Sequence, residues 1–371
     1  MKMTFRMVRM ARAVFALPFI FITSATLQAP AYAESDVLQR PAILSARASS
    51  RAMLSLARAD GRIVAVGERG IVLLSDDSGV SWRQAKVPVS VTLTRVWFVN
   101  SKLGWAVGHG GVVLHSEDGG ETWISQLDGK KAAALVLEAV RSQGTEGRVN
   151  VQKLAAEAER LVADGPDKPF LDVYFPDANH GLIVGAYGLA FATEDGGKHW
   201  QPILHQIPNP LGRHLYRIHS TGNDLFIAGE QGVLVKSTNG GKSFTEVTTP
   251  YAGTYFGLLD GANGELVVHG LRGNAFWSGD AGHAWQKIET SGLGTLVAGL
   301  RLADDSLLLI DETGLVLKSN DGGRHFDRLK KEDQPSLIAG AVQAKDGSVL
   351  LAGVRGIKRL SPSIKLVEEN K

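Results

Sequence analysis

The stretch HSEDGGETW, His115 to Trp123, sets a histidine beside two acids, a grouping from which an acid–base site can be built. Recurrence decides its meaning, because a catalytic constellation normally occurs once and a structural unit repeats. The pattern S/T-x-D/N-x-G-x-x-W/F is present six times: SDDSGVSW from Ser75, SEDGGETW from Ser116, TEDGGKHW from Thr193, STNGGKSF from Ser237, SGDAGHAW from Ser278 and SNDGGRHF from Ser319. Five residues before each hydroxyl residue stands the last glycine of a G-x-x-G unit: Gly67/Gly70, Gly108/Gly111, Gly185/Gly188, Gly229/Gly232, Gly270/Gly273 and, with Asp311 in place of the first glycine, Gly314. A seventh unit, Gly353/Gly356, is followed by Ser361 and then departs from the pattern at Pro362 and Ser363.

The closing glycines at 70, 111, 188, 232, 273, 314 and 356 are separated by 41, 77, 44, 41, 41 and 42 residues. A period near 40, made of short apolar runs and Gly/Asp turns, is the mark of propeller blades, four-stranded antiparallel sheets that cannot bury their faces alone. The expected fold is therefore all-β, a seven-bladed β-propeller. In the second blade LTRVWFV reads as the innermost strand, GWAVG as the next, GVVLHS as the third and TWISQL as the outer one. The 77-residue step is one period plus 36 residues, which read as a helical hairpin inserted between blades 2 and 3, within about 129–166. Its helices are expected at Lys131–Arg141 and Val149–Ala163, the second carrying Val151, Leu154, Ala155, Ala158, Leu161 and Val162 on one stripe. That stripe either packs on its partner helix and the propeller rim or meets a client.

The chain opens with Lys2, Arg6, Arg9 and Arg12, an apolar run from Ala13 to Ile22, and Ala31-Tyr32-Ala33, the three regions of a secretory signal peptide over residues 1–33. Residues 34–371 are then the propeller, exported and expected in a bacterial periplasm. Removing those four basic residues leaves 36 basic against 38 acidic residues, so the overall basic balance belongs to the targeting segment and no global charge favours nucleic acid. The 371 residues contain no cysteine, which excludes disulfides, thiolate metal sites, a cysteine nucleophile and lipid attachment through cysteine.

Repetition answers the opening question. Asp118, with its counterparts Asp77, Asp195, Asn239, Asp280 and Asp321, is expected to clip a turn between the third and fourth strands. Six copies on the outer parts of six blades cannot converge on one substrate. The histidines His199, His283 and His325 vary with Lys, Glu and Ser at neighbouring motif positions, and the pair His214/His219 lacks metal-ligand spacing. No metal, cofactor or catalytic residue is assigned.

The repeated pattern is the Asp-box, or BNR repeat. Its pairing with G-x-x-G at fixed offset, in phrases such as HGLIVGAYGLAFATEDGGKHW, resembles the photosystem II stability and assembly factor family of seven-bladed propellers, from about Arg51 to Ser361. The resemblance implies a non-catalytic scaffold whose partners are protein subunits of a membrane complex, with neither nucleic acid nor a small-molecule substrate. A bacterial-type export signal points to a non-photosynthetic member. The rival is a sialidase-like or other glycan-binding or glycoside hydrolase propeller. Such enzymes usually announce their first arginine in Y/F-R-I-P before the first box. The nearest string here, Tyr216-Arg217-Ile218-His219, lacks the proline and follows three boxes. No Walker loop, nucleophile elbow or HExxH is present.

Hairpins alternate between the ends of a blade, so the G-x-x-G turns, the inter-blade loops and the insertion share the end opposite the Asp-boxes. Arg69, His109, Tyr187, Gln231, Arg272 and Arg355 sit in those turns and form the expected partner-binding set, with arginine suited to bidentate or stacked contacts. Because the seventh blade has lost its Asp-box hairpin, its outer strand is expected from Pro41–Ala46 or from Ile364–Val367.

Overall fold

A computed structural model describes residues 36–142, 151–290, 294–329 and 337–361, with side chains described outside 151–154. The signal-peptide reading, the remnant Pro362-Ser363 and Ile364–Val367 fall outside them. Seven antiparallel sheets follow one another along the chain, with innermost strands Met53–Ala59, Leu93–Phe98, Phe170–Tyr174, Leu215–Thr221, Tyr255–Asp260, Leu296–Arg301 and Ile338–Gln343. Each innermost strand adjoins the next, and the last adjoins the first, so the sheets form the ring of a seven-bladed β-propeller. In the second blade the strands are Leu93–Phe98, Gly104–Gly108, Val113–Ser116 and Ile124–Leu127, matching the expected runs.

The core is divided among the junctions between blades. The described residues form seven buried apolar clusters, each combining side chains of two neighbouring blades. Strand alternation explains how one strand serves two junctions: Ile183 packs toward blade 2, whereas Leu182 and Val184 pack toward blade 4. Because both faces are covered, the second strand of blade 3 is buried throughout and reads as an unbroken apolar run.

The insertion forms α1 (Gly129–Ser142) and α2 (Val151–Asp164). Asp128 caps α1 by accepting the Lys131 N–H at 2.9 Å, and Gly165, at φ 79°, lies just beyond the end of α2. Ala132, Val136 and Ala158 are buried against each other and against Trp105, Phe170 and Trp200, with Leu161 alongside. Of the apolar stripe, Ala158 is buried, Ala155 and Leu161 are half-buried and Val162 is exposed, while the side chains of Val151 and Leu154 lie outside the described residues.

Each Asp-box closes on itself. Asp118 Oδ1 accepts the Ser116 hydroxyl and the Thr122 N–H, both at 2.9 Å, and Ser116 Oγ in turn accepts the Gly120 N–H at 2.8 Å. Equivalent bonds surround Asp77, Asp195, Asn239, Asp280 and Asp321. The Trp123 indole N–H reaches the Gly120 carbonyl at 2.9 Å and the ring is buried beneath the turn. The Ser81 hydroxyl and N–H hold the Asp77 carboxyl at about 2, and the His199 N–H does the same for Asp195.

One expectation is corrected. Pro41–Ala46 adds no strand to blade 7, which has three strands among the described residues. The segment lies beside blade 1, with the Ala42 N–H on the Val87 carbonyl at 3.0 Å and the Ser45 N–H on Gln84 Oε1 at 2.9 Å. Its Ile43 and Leu44 side chains are exposed, so it lacks the apolar face that an outer strand of blade 7 would bury. Among the described residues the ring closes through side chains: Met53, Leu56, Ile63 and Leu73 of blade 1 pack with Leu350 and Ala352 of blade 7, and Ala48 is buried among them. The Arg359 guanidinium also donates to the Ser78 carbonyl at 3.0 Å.

Two outcomes follow for stability. Asp118→Ala removes a local capping bond and is expected to lower unfolding free energy by about 0.5 to 2 kcal/mol, read from the urea midpoint. His269 is fully buried between blades 5 and 6, with Nδ1–H donating to the Leu296 carbonyl at 3.1 Å. Burial pushes its imidazole down to about 4 from an ordinary 6.5. The unfolded chain therefore takes up this proton first, so the contribution is complete above pH 6.5 and is lost as pH falls toward 4, by roughly 3 kcal/mol. His269→Gln should flatten the fall in stability between pH 7 and pH 4.5, and an unchanged slope would contradict this account.

Candidate functional site

The G-x-x-G turns share one geometry. In all seven blades the N–H of the residue after the first glycine, or after Asp311, donates to the carbonyl just before the innermost strand, at 2.8 to 3.0 Å. The donors are Glu68, His109, Ala186, Glu230, Leu271, Glu312 and Val354. This draws the inner strand's entry against the turn. A Cβ on Gly108 would strike the Thr92 carbonyl oxygen, which explains glycine at the first place.

Opposite that glycine the inner strand carries a β-bulge, again in every blade. The bulged residues are Leu54, Thr94, Leu171, Tyr216, Phe256, Val297 and Ala339. Each retains solvent exposure although the preceding residue is buried in every case. Two of them pack against neighbouring strands: Val297 lies against the buried cluster between blades 6 and 7, and the Thr94 hydroxyl donates to the Phe170 carbonyl at 2.7 Å. Six of the seven are apolar or aromatic, and Tyr216 and Phe256 touch with ring centroids 5.1 Å apart.

The next residues along the innermost strands are Ser55, Arg95, Asp172, Arg217, Gly257, Ala298 and Gly340, of which three are charged. Arg95 Nε stands 2.9 Å from Asp172 Oδ1 without being aimed along a hydrogen bond, and Arg217 Nε stands 3.8 Å from Asp172 Oδ2. Asp172 is also bonded by the Ile218 N–H at 2.6 Å. Burial, and then the nearby Arg217 charge, push Arg95 down to about 10 against the pull of Asp172. Nearer the Asp-box end His219 meets Asp260 at 2.9 Å, and Arg301 meets Asp260 at 3.2 Å and Asp305 at 2.7 Å.

The six residues expected to form a binding set are all exposed, one in each of six G-x-x-G turns. No hydrogen bond, ion pair or ring contact joins any two of them among the described residues. They are displayed around one end rather than gathered into a pocket. The guanidinium groups of Arg69, Arg272 and Arg355 have no hydrogen-bond or ion-pair partner among the described residues. Tyr187 is tied down: its N–H donates to His214 Nδ1 at 3.0 Å and Lys168 lies 5.1 Å above its ring. The sequence reading missed Arg95 and Asp172 and met Arg217 only within a failed motif. Positions relative to a bulge, which no local spacing reveals, are what bring the three together.

A family model described as photosynthesis system II assembly factor YCF48 matches residues 74–155 and 152–306. The photosystem II assembly lipoprotein Ycf48 of Synechococcus sp. (strain CC9902) is 38% identical over 77 residues, 21% of this chain and 23% of the relative, so the match spans less than a quarter of that protein. A solved structure titled YCF48 bound to D1 peptide superposes with TM-score 0.62 at 14% identity, covering 86% of this chain and 96% of the other. A streptogramin B lyase superposes with TM-score 0.63, also at 14% identity, covering 90% and 100%. At such identities these likenesses concern the fold.

The turn backbone generates a further outcome. Arg69, Tyr187, Gln231 and Arg272 occupy the left-handed region at φ 53° to 56°, where blade 2 has Gly110. The left-handed conformation costs a side-chain-bearing residue roughly 1 to 2 kcal/mol, against about 0.4 to 1 kcal/mol for the extra freedom glycine gives the unfolded chain. Arg69→Gly and Arg272→Gly are each expected to raise stability by up to about 1 kcal/mol in urea unfolding. A fall would mean that the arginine side chain holds its own turn.

Proposed function

The chain belongs to the family of photosynthesis system II assembly factor YCF48, and from that premise we propose that it is an exported, non-catalytic scaffold assisting a membrane-associated protein complex. Residues 1–33 act as its signal peptide and the periplasm is its compartment. The partners are protein subunits of that complex, as the D1 peptide is for the solved family member. No helix among the described residues is long and apolar enough to cross a membrane. The Synechococcus relative is a lipoprotein by name, whereas this sequence offers no cysteine for a lipid.

The observation that carries the reading is the contrast between the two ends. The Asp-box carboxylates are engaged within their own turns. At the other end arginines from blades 1, 5 and 7 stand exposed without partners, two of them in a backbone conformation that disfavours side chains. Strain kept at exposed positions fits side chains that serve contacts outside the chain. A glycosidase reading gains no support from Tyr216, whose hydroxyl is pushed up by burial and then by Glu230, away from nucleophile character.

Crosslinking capture from the native envelope, followed by mass spectrometry, tests the partner class, and turnover of a glycan by the purified protein would overturn the non-catalytic reading. The combined change Arg69→Ala, Arg272→Ala and Arg355→Ala is expected to weaken capture of membrane-complex subunits at least tenfold with the melting temperature nearly unchanged. A desolvated arginine anchor contributes about 2 kcal/mol or more, a solvated rim charge well under one. Full capture by the triple variant would remove this face from the interface.

A further inference from the structure

We infer that the segment 37–51, which runs beside blade 1, docks the exported protein on an anionic lipid surface, with Ile43 and Leu44 entering the headgroup layer and Arg40, Arg47 and Arg51 meeting lipid phosphates. The inference rests on the export and membrane-complex reading and adds to it a lipid contact that uses none of the rim arginines.

Three observations carry it. The segment is fixed at both ends and along its backbone. Leu38 and Ala42 pack on the buried cluster between blades 1 and 2, and Ala48 is buried between blades 7 and 1. Between these points the Ala42 and Ser45 N–H groups and the Ile43 carbonyl have partners in Val87 and Gln84. The Ile43 and Leu44 side chains are nevertheless exposed, Ile43 at 80%, more than any other large hydrophobic side chain among the described residues. An apolar pair displayed on a hydrogen-bonded backbone can enter a headgroup layer at little cost in stranded polar groups. The second observation is charge. Arg40, Arg47 and Arg51 are exposed, and their guanidinium groups have no acidic partner among the described residues, Arg40 reaching only the Ser90 hydroxyl at 3.1 Å. No acidic residue lies within 37–51, and Asp36 just before it is engaged by Lys130 at 3.1 Å. Uncompensated cations flanking an exposed apolar pair unite the two signals that reversible membrane attachment needs.

The third observation is position in the chain. Residues 34–51 directly follow the proposed signal peptide and are the first of the exported chain to emerge at the membrane. The choice of lipid over a protein partner follows from what the segment has left to offer. Its Ala42, Ile43 and Ser45 backbone groups are spent on blade 1, so it presents side chains, two apolar and three cationic. A lipid surface supplies phosphates and an apolar layer and asks for no strand pairing. Arginine suits that boundary, since its stem can lie on apolar surface while the planar head binds phosphate in bidentate fashion. The Asp-box end of the same blade lacks the combination: its exposed Val80 follows Asp76 and Asp77 in the same turn.

The test uses the exported protein, without residues 1–33, and vesicles of phosphatidylcholine alone or mixed with an equal amount of phosphatidylglycerol, followed by co-sedimentation. Binding to the mixed vesicles should be about tenfold tighter and should weaken as salt is raised. Because the chain has no cysteine, Leu44→Cys carries a single environment-sensitive fluorophore. Its emission should shift to the blue on mixed vesicles, whereas the same label on Val80→Cys should not respond. Arg40→Gln, Arg47→Gln and Arg51→Gln together, and separately Ile43→Asp with Leu44→Asp, should each weaken binding about tenfold with the melting temperature nearly unchanged. Equal binding to both vesicle types, no binding up to about millimolar lipid, or wild-type binding by either variant would each overturn the site. So would a label at position 44 that stays silent or is matched by the one at position 80. Loss of a protein partner in the segment variants, with vesicles ignored by the wild type, would give the segment to that partner instead. Client capture from detergent extracts separates the two readings. Capture lost in the triple rim variant while vesicles are ignored leaves the scaffold reading standing and removes this one. Vesicle binding with full capture by the rim variant counts against the scaffold reading alone.

Discussion

One hydrogen bond, repeated in every blade, organises the molecule. The N–H that follows the first turn glycine binds the carboxyl-side neighbour of the inter-blade loop, the carbonyl at the entry to the innermost strand. Its net contribution is about 1 kcal/mol per copy, as for other backbone bonds. Its geometric effect is larger. It brings two backbones so close that a side chain at the glycine is excluded, and it accompanies the extra residue in the inner strand that becomes a bulge. The turn and the bulged residue of the inner strand therefore lie on either side of one contact. Blade 6 retains the bond with Asp311 in the glycine's place, and there the aspartate side chain itself accepts the Thr313 and Leu315 N–H groups at 2.8 and 2.9 Å.

What was legible in the sequence was whatever repeats locally. The blade count, the four strands of blade 2 and the place of the Asp-box in its hairpin follow from spacing, because each blade is a short-range structure. The hairpin insertion was legible for the same reason, with ends within two residues of the observed helices. The closure of blade 7 was not, since it depends on residues roughly 300 positions apart packing across one junction. The Arg95, Asp172 and Arg217 group was hidden as well. Each member is an ordinary polar residue in an apolar run, and only the ring places three such runs side by side.

Fold likeness leaves chemistry open, as the comparable superpositions on a Ycf48 protein and on a lyase illustrate. The decisive information is in how each end disposes of its charge. At one end the polar groups are consumed by their own turns. The other end combines unpartnered guanidinium groups with the exposed ring of Tyr187 and the half-buried ring of Tyr216, a composition that interfaces share.

Closure by side chains also sets an order in time. The first blade cannot complete its junction until the last has been delivered, and Ser78 meets Arg359 across 281 residues of chain. A polypeptide leaving an export channel from its amino end would thus present an unsealed blade 1, with Met53, Ile63 and Leu73 uncovered, for nearly the whole of its passage. Its final assembly is a single late event, and the interval before it is when such a protein would most need protection from aggregation.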